Sequence, residues 1–323
     1  MKVLVVKPTA LGDVAQALAV APLLKQWPDC GELVWLVDEE YAPLVRLSPA
    51  VDRLILFPRK RWSRQRNGRE IISWLLALRR ENFGLVLDLQ GLARSGFMTG
   101  ITGAPRRVGL ASARELSGLA CNETVADGQE HAVDRYLAAV RQVVGAETPG
   151  AGARAVLDIP PTPLPEGLQS GCYTVLHPYS QWQTKLWPWE NYETMARACP
   201  EETFVLIGYG AFFPVQAPNC VDLRNRTTLE LLLAVLAHAR VVISTDSGPL
   251  HVAAALGRPV LGLYGATDPG RTGPRGTRAT VLTTDLPCRP CLSRTCTNAQ
   301  PLECLQKIGI DRVLQGWANL SCK

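Results

Sequence analysis

Long apolar runs are missing from this chain. No stretch approaches the roughly 20 apolar residues that cross a bilayer, and the opening Met1-Lys2-Val3-Leu4-Val5-Val6-Lys7 closes its short apolar core at Lys7. A secretory signal peptide needs a longer apolar segment, so the sequence predicts a soluble, cytoplasmic protein. A strong charge of either sign is also missing. The 34 Lys and Arg against 29 Asp and Glu leave a net charge of +5, which suits an anionic substrate and is too diffuse for nucleic acid. No repeat with a period of about 20–50 residues is present, which excludes solenoids and propellers. The loop after the first strand has no G-x-G-x-x-G, which argues against a dinucleotide site there. Cysteine is plentiful at ten, but a disulfide framework does not fit this compartment.

What is present fits two ordinary domains. The 323 residues are 47% apolar and 20% charged, the balance of a globular chain too long for one core. Short, β-branched, apolar runs at 3–6, 33–37, 54–57, 85–88 and 108–110 read as buried parallel strands. Helical spacing separates them at 14–26, 41–47, 69–80 and 132–144. The segments 148–152 and 160–171 are rich in Pro and Gly, and the second is expected to link the domains after a last strand at 153–159. The alternation then restarts, with strands at 173–176, 204–207, 241–244 and 260–264 and helices at 189–198, 229–237 and 249–256. The expected fold is α/β, with two doubly wound, Rossmann-like domains at 1–160 and 172–308. A final helix in 309–323 is expected to pack back on the first domain.

Ligands of such sheets bind where strands end, which selects five loops. Thr9-Ala10-Leu11-Gly12-Asp13 opens a helix. Gly12 allows close approach, and Asp13 reads as a helix cap or a base. Ser244-Thr245-Asp246-Ser247-Gly248-Pro249-Leu250-His251 stands between a strand and a helix, where N–H groups and hydroxyls can hold a diphosphate. His251 there is either part of the site or simply packed. The loop from Ser180 to Pro188 offers Lys185 to a phosphate. Tyr264 to Pro274 is a Gly- and Pro-rich turn carrying Thr267 and Asp268. The run Arg59-Lys60-Arg61-Trp62-Ser63-Arg64-Gln65-Arg66 is a solvated segment or an anion grip, and Trp62 and Trp74 beside it suit a membrane surface.

Five motifs together resemble the ADP-heptose–lipopolysaccharide heptosyltransferases, the family 9 glycosyltransferases of GT-B fold. They are K-P-T-A-L-G-D-V at 7–14, D-L-Q-G-L-A-R-S at 88–95, T-K-L-W-P at 184–188, S-T-D-S-G-P-L-H at 244–251 and Y-G-A-T-D-P at 264–269. The resemblance implies two domains facing a central cleft and an inverting, metal-free heptose transfer from ADP-heptose, the donor substrate, with no cofactor. It implies Asp13 as general base and Lys185 on the diphosphate, with Gly12, Ser180, Asp246, Ser247, Gly248, His251, Thr267 and Asp268 on the donor. Arg61, Arg64 and Arg94 would face an acidic, lipid-linked, Kdo-containing acceptor, with peripheral contact at the inner membrane and no nucleic acid. One departure is the loop 208–214, which has no carboxylate for the donor ribose. A different nucleotide sugar or acceptor within the same family is the alternative.

Cys288, Cys291, Cys296 and Cys304 form a cluster in sequence. Their spacing is compatible with zinc or an iron–sulfur cluster, and equally with free thiols or one disulfide, so no ligands are assigned. A redox module built on these four and a nucleotide-sugar-binding protein without catalysis are the competing readings. Metal content separates the first, and the presence of Asp13 speaks against the second.

Overall fold

Val3, Leu4, Val5 and Val6 are all fully buried, and each such aliphatic side chain contributes about 1.5–3 kcal/mol on leaving water. That run is the centre of the first sheet in a computed structural model, which describes every residue except 66, 146–153, 212, 277 and 323. The chain divides into two units, Met1–Asp158 and Ile159–Lys323.

The first unit begins β1 (Lys2–Val6), α1 (Leu11–Ala17), α2 (Ala21–Gln26), β2 (Glu32–Asp38), α3 (Ala42–Val45) and β3 (Arg53–Phe57). It continues α4 (Arg59–Gln65), α5 (Gly68–Arg80), β4 (Leu85–Asp88), α6 (Ala93–Thr102), β5 (Arg106–Leu110), β6 (Glu123–Val125) and α7 (Ala132–Val144). Its strands lie in the order β3-β2-β1-β4-β5-β6, and every pairing is parallel. The order reverses between β1 and β4, so the loops after Val6 and Asp88 flank the switch point where such sheets bind ligands.

The second unit repeats this plan. It runs β7 (Tyr173–His177), α8 (Trp189–Ala198), β8 (Thr203–Leu206), β9 (Cys220–Asp222), α9 (Leu229–Ala237), β10 (Val241–Thr245) and α10 (Gly248–Ala255). Then come β11 (Val260–Leu263), α11 (Pro269–Thr272), β12 (Ala279–Leu282), α12 (Glu303–Gln306) and α13 (Ile310–Ser321). The strand order is β12-β11-β10-β7-β8-β9, again wholly parallel. Its switch point lies between β7 and β10, at the loops after His177 and Thr245.

Several expectations need correction. The helix at 14–26 begins at Leu11 and is broken by a 3-10 turn at Leu18–Val20, because Pro22 in the first turn of α2 has no N–H to continue the ladder. Residues 154–159 join no strand. Asp158 N–H reaches Leu47 O at 2.7 Å, while Val156 and Ile159 stay exposed. Residues 148–152 lie outside the described residues. The basic run, read as a loop, forms α4 as far as Gln65, and Arg66 lies outside the described residues. The last helix packs on the second sheet. Val313 and Leu320 of α13 enter the core formed by Leu261, Leu263 and Phe204, and Trp317 Nε1–H donates to Thr174 Oγ1 at 2.9 Å.

Candidate active site

In the first unit, two loops meet at the switch point through a buried lysine. Lys7 directly follows β1 and is only 3% exposed. Its Nζ donates to Leu89 O at 3.1 Å and to Tyr136 Oη at 2.9 Å, so its charge is held by oxygens instead of a carboxylate. Thr9 N–H donates to Gln90 Oε1 at 3.3 Å, which fastens the Asp13 loop to the Gln90 loop. Burial pushes the Asp88 carboxyl up from its ordinary value, against the hydrogen bonds that Gly91 N–H, the Ser95 hydroxyl and Gln90 N–H donate to it. Asp88 is thus spent on shaping its own loop.

Asp13 stands in the first turn of α1 and is exposed. One carboxylate oxygen, Oδ2, accepts Ala10 N–H at 3.2 Å, so Asp13 does cap its helix. No ion pair holds it among the described residues, which leaves the second oxygen open to a substrate. Gly12 beside it is half-buried. Arg94 lies exposed at the start of α6, its guanidinium 5.8 Å from the Phe57 ring centroid. Arg61 is already engaged by Glu70 at 2.6 Å and Glu39 at 3.6 Å. Arg59 and Lys60 are likewise held by Asp38 and Glu40, so much of the basic run is neutralised in place. Arg64 is exposed with no such partner among the described residues. Trp62 and Trp74 turn inward onto Phe57, with ring centroids 5.4–6.0 Å apart, and Trp74 Nε1–H donates to Leu56 O at 2.9 Å.

In the second unit the expected donor residues converge on one carboxylate. Asp246 is 5% exposed. Lys185 Nζ lies 2.7 Å from Oδ2, and His251 Nε2 lies 3.4 Å from Oδ1. The Thr267 hydroxyl donates to Oδ2 at 2.7 Å. Burial opposes the charge of Asp246, but the hydrogen bond from His251 and the charge of Lys185 hold its carboxyl well below the usual range. A carboxylate so fully engaged cannot repel a nearby phosphate as a bare one would. It works as the post that orients Lys185, His251 and Thr267.

The groups expected to hold a phosphate stand beside it. Ser247 and Gly248 open α10, whose N-terminus carries free N–H groups and partial positive charge. Pro249 in that first turn gives up only an N–H that the helix would not have used. The Ser247 hydroxyl is 3.0 Å from His177 Nδ1 and 3.1 Å from Ser244 Oγ. Lys185 Nζ also sits 4.7 Å from the Trp182 ring centroid, which limits where the ammonium can point. Two further expected residues make local hydrogen bonds: Asp268 caps α11 by accepting Gly270 N–H at 2.8 Å, and Ser180 Oγ accepts Trp182 N–H at 3.4 Å.

The sequence reading missed three supports of this cluster. Burial pushes the His177 imidazole down to about 3, so it is neutral and serves Ser247 as a hydrogen-bond partner. A histidine closing an otherwise apolar strand was the available signal. Tyr264 is buried beside Asp246, and burial first and then that charge raise its phenol. Arg289 donates to the carbonyls of Gly265 at 2.6 Å and Thr284 at 2.5 Å, and to Thr267 O at 3.4 Å. Leu292 N–H reaches Ala266 O at 2.9 Å, and the Thr184 hydroxyl reaches Ser293 O at 2.6 Å. The cysteine-rich segment is therefore a strap over the loops that carry Thr184 and Thr267. Its four thiols are unpaired. Among the described residues, no three His, Cys, Asp or Glu stand close enough to share a metal ion. Cys296 Sγ accepts Leu302 N–H at 3.3 Å, and Cys288 Sγ accepts an Asn298 side-chain N–H at 3.4 Å.

Gly208 and Gly210 follow β8. Gly208 has φ +124, and a Cβ there would stand 2.3 Å from the Tyr179 ring. Only glycine fits that conformation and that space, so the loop lies directly under an aromatic face at the switch point.

The family model for glycosyltransferase family 9 (heptosyltransferase) matches residues 72–301. Lipopolysaccharide heptosyltransferase 1 of Pseudomonas aeruginosa is 34% identical over 322 residues, covering 94% of this chain and 89% of the relative. The protein of that name from Escherichia coli K12 is 29% identical, over 85% of this chain and 91% of the relative. The solved E. coli heptosyltransferase WaaC with ADP superposes with a TM-score of 0.80 at 26% identity, covering 99% of this chain and 100% of that one. Two parallel six-stranded sheets of Rossmann order are the GT-B architecture of these enzymes. With the family model matching residues 72–301 and a relative 34% identical over 94% of this chain, the chain belongs to glycosyltransferase family 9, the heptosyltransferases.

Proposed function

We propose that this heptosyltransferase moves heptose from ADP-heptose to a Kdo or heptose hydroxyl of the lipopolysaccharide inner core, with inversion. The acceptor oxygen bonds to the anomeric carbon as the bond from that carbon to the β-phosphate oxygen breaks. Asp13 takes the hydroxyl proton, and ADP leaves with the electron pair. Proton transfer of this kind contributes about 10²–10⁴-fold. Charge developing on the leaving diphosphate meets the Lys185 ammonium, the Ser247 hydroxyl and the N-terminus of α10. Fixed donors and a lysine there take the role that a divalent cation plays elsewhere, so turnover is expected to survive EDTA.

The observation that carries this reading is the Lys185–Asp246–His251–Thr267 cluster at the second switch point. It is a preorganised cradle of hydrogen-bonding groups beside a helix N-terminus. The names of the P. aeruginosa and E. coli relatives supply the sugar and the acceptor class. The test is transfer from ADP-heptose to a panel of truncated core acceptors, with and without EDTA. Transfer to an acceptor ending in Kdo or heptose supports the reading, and the shortest active acceptor identifies the position. Absence of transfer to the whole panel overturns it.

A second reading, a different nucleotide sugar, is favoured by one observation: residues 208–214 contain no carboxylate to grip a ribose. Competition of ADP-heptose against other nucleotide sugars decides between the two.

A further inference from the structure

The first unit carries an exposed apolar face that the reaction above does not use. Helix α6 lies between α5 and the 3-10 turn Ser117–Ala120, all on one side of the sheet. Gly96 permits this: a Cβ there would stand 2.8 Å from Ser117 backbone atoms. The inner sides of α5 and α6 supply Leu78 and Met98 to the core. Their outer sides show the opposite of a solvated surface. Ile72 and Leu76, one turn apart on α5, are more than half or just half exposed, and Phe97 of α6 is 58% exposed. Leu116 and Leu119 on the turn are 80% and 83% exposed. Leu116 also holds φ +61, a left-handed conformation that a leucine adopts at a cost. Scattered single apolar residues on a surface need no explanation, but five on three adjacent elements do.

The charges without an opposite partner around these residues are mostly positive. Arg69 and Arg80 flank Ile72 and Leu76 on the same stripe of α5, and Arg114 stands just before Leu116. None of the three meets a carboxylate among the described residues. The carboxylates nearby are occupied: Glu70 by Arg61, Glu81 by Arg53 and Lys2, and Glu115 by Ala93 N–H at 3.1 Å. Large apolar side chains bordered by unpaired arginines match a bilayer with anionic headgroups. The side chains enter the interface and the guanidinium groups meet phosphate. A second copy of this face would instead bring the arginines against one another.

We propose that this face of α5, α6 and the 113–120 turn is where the enzyme docks on an anionic lipid surface. It replaces Trp62 and Trp74, which are packed inward, as the membrane-contacting part of the first unit. The inference rests on the reading of the acceptor as lipid-linked. Binding can be measured without turnover, so the two ideas fail separately.

The experiment is co-sedimentation of the whole chain with vesicles of phosphatidylethanolamine containing phosphatidylglycerol, against vesicles of phosphatidylcholine alone. Binding is expected only to the anionic vesicles and is expected to weaken in high salt. The double variant Leu116→Asn, Leu119→Gln is expected to lower that binding more than tenfold. Both sites are exposed, and asparagine tolerates the left-handed backbone of 116 better than leucine does, so folding is kept. Arg69→Glu with Arg80→Glu is expected to do the same. In both variants, transfer to a delipidated core acceptor stays at the wild-type rate, while transfer to an acceptor embedded in anionic vesicles falls. Three results would overturn the proposal: equal binding to both vesicle types, variants that bind as the wild type does, or a dimer in solution that the leucine variants dissociate.

Discussion

At the scale of single residues, Asp13 carries two roles that one substitution can separate. Its carboxylate accepts Ala10 N–H, and it is exposed enough to reach a substrate hydroxyl. Asn keeps a carbonyl oxygen for the cap and cannot accept the proton. Asp13→Asn is therefore expected to lower kcat by about 10²–10⁴-fold, with little change in melting temperature or in ADP affinity. A normal rate in that variant would leave Asp13 only its capping role. The motif residues of the second unit were legible because Lys185, Asp246, Ser247, His251 and Thr267 stand in loops at strand ends. What the sequence hid was their order of importance. Asp246 reads from the sequence only as a donor-loop residue, and the structure adds that it pairs with Lys185, His251 and Thr267. Two of those partners, Lys185 and Thr267, come from loops 61 and 21 residues away from Asp246 in the chain, and no local pattern announces them.

At the scale of elements, the buried strands were readable and the edges were not. β1, β4, β7 and β10 are continuous apolar runs closed on both faces. The outer strands β6, β9 and β12 are three or four residues long and only partly buried, so no run or alternation marks them. Helix α6 is hidden by Gly96 and Gly100, which serve contact with the neighbouring turn instead of helix propensity. The strap formed by residues 289–293 was legible only as cysteine spacing. Its working residue is Arg289, whose guanidinium ties the Gly265 and Thr267 carbonyls to Thr284. Arg289→Ala would strand those acceptors, at about 1–3 kcal/mol for each one left unsatisfied and buried. It would also loosen the loop that presents Thr267 to Asp246. A lower melting temperature and a several-fold weaker Kd for ADP are expected by calorimetry. Arg289→Lys is expected to recover only part, since one ammonium cannot span three carbonyls. Unchanged ADP affinity in the alanine variant would show that the strap does not brace the donor loops.

At the scale of the molecule, duplication of one sheet plan in two units was legible from the restart of alternation after residue 171. The ownership of α13 was not, because a helix with one apolar stripe fits either sheet until its partners are known. The two units also differ in how they should respond to acid. The second unit buries His177 as a neutral imidazole, its value pushed down to about 3 from an ordinary 6.5. Between those values the unfolded chain binds a proton that the folded unit refuses. Stability therefore rises with pH across that window and is lost as pH falls through it, by up to about 1.4 kcal/mol per pH unit. Asp246 has the same sign, since its folded value is depressed, but its effect begins only as pH nears the ordinary carboxylate range. The interval from pH 6.5 to about 4.5 thus belongs mainly to His177. His177→Asn keeps a polar partner for Ser247 and removes the titration. Denaturant unfolding of the wild type from pH 7 to 4.5 is expected to show a steeper loss of stability than the variant, confined to the transition of the second unit. Parallel losses in the two proteins would mean that His177 is protonated in the fold, and that Ser247 is held by a charged imidazole instead of a neutral one.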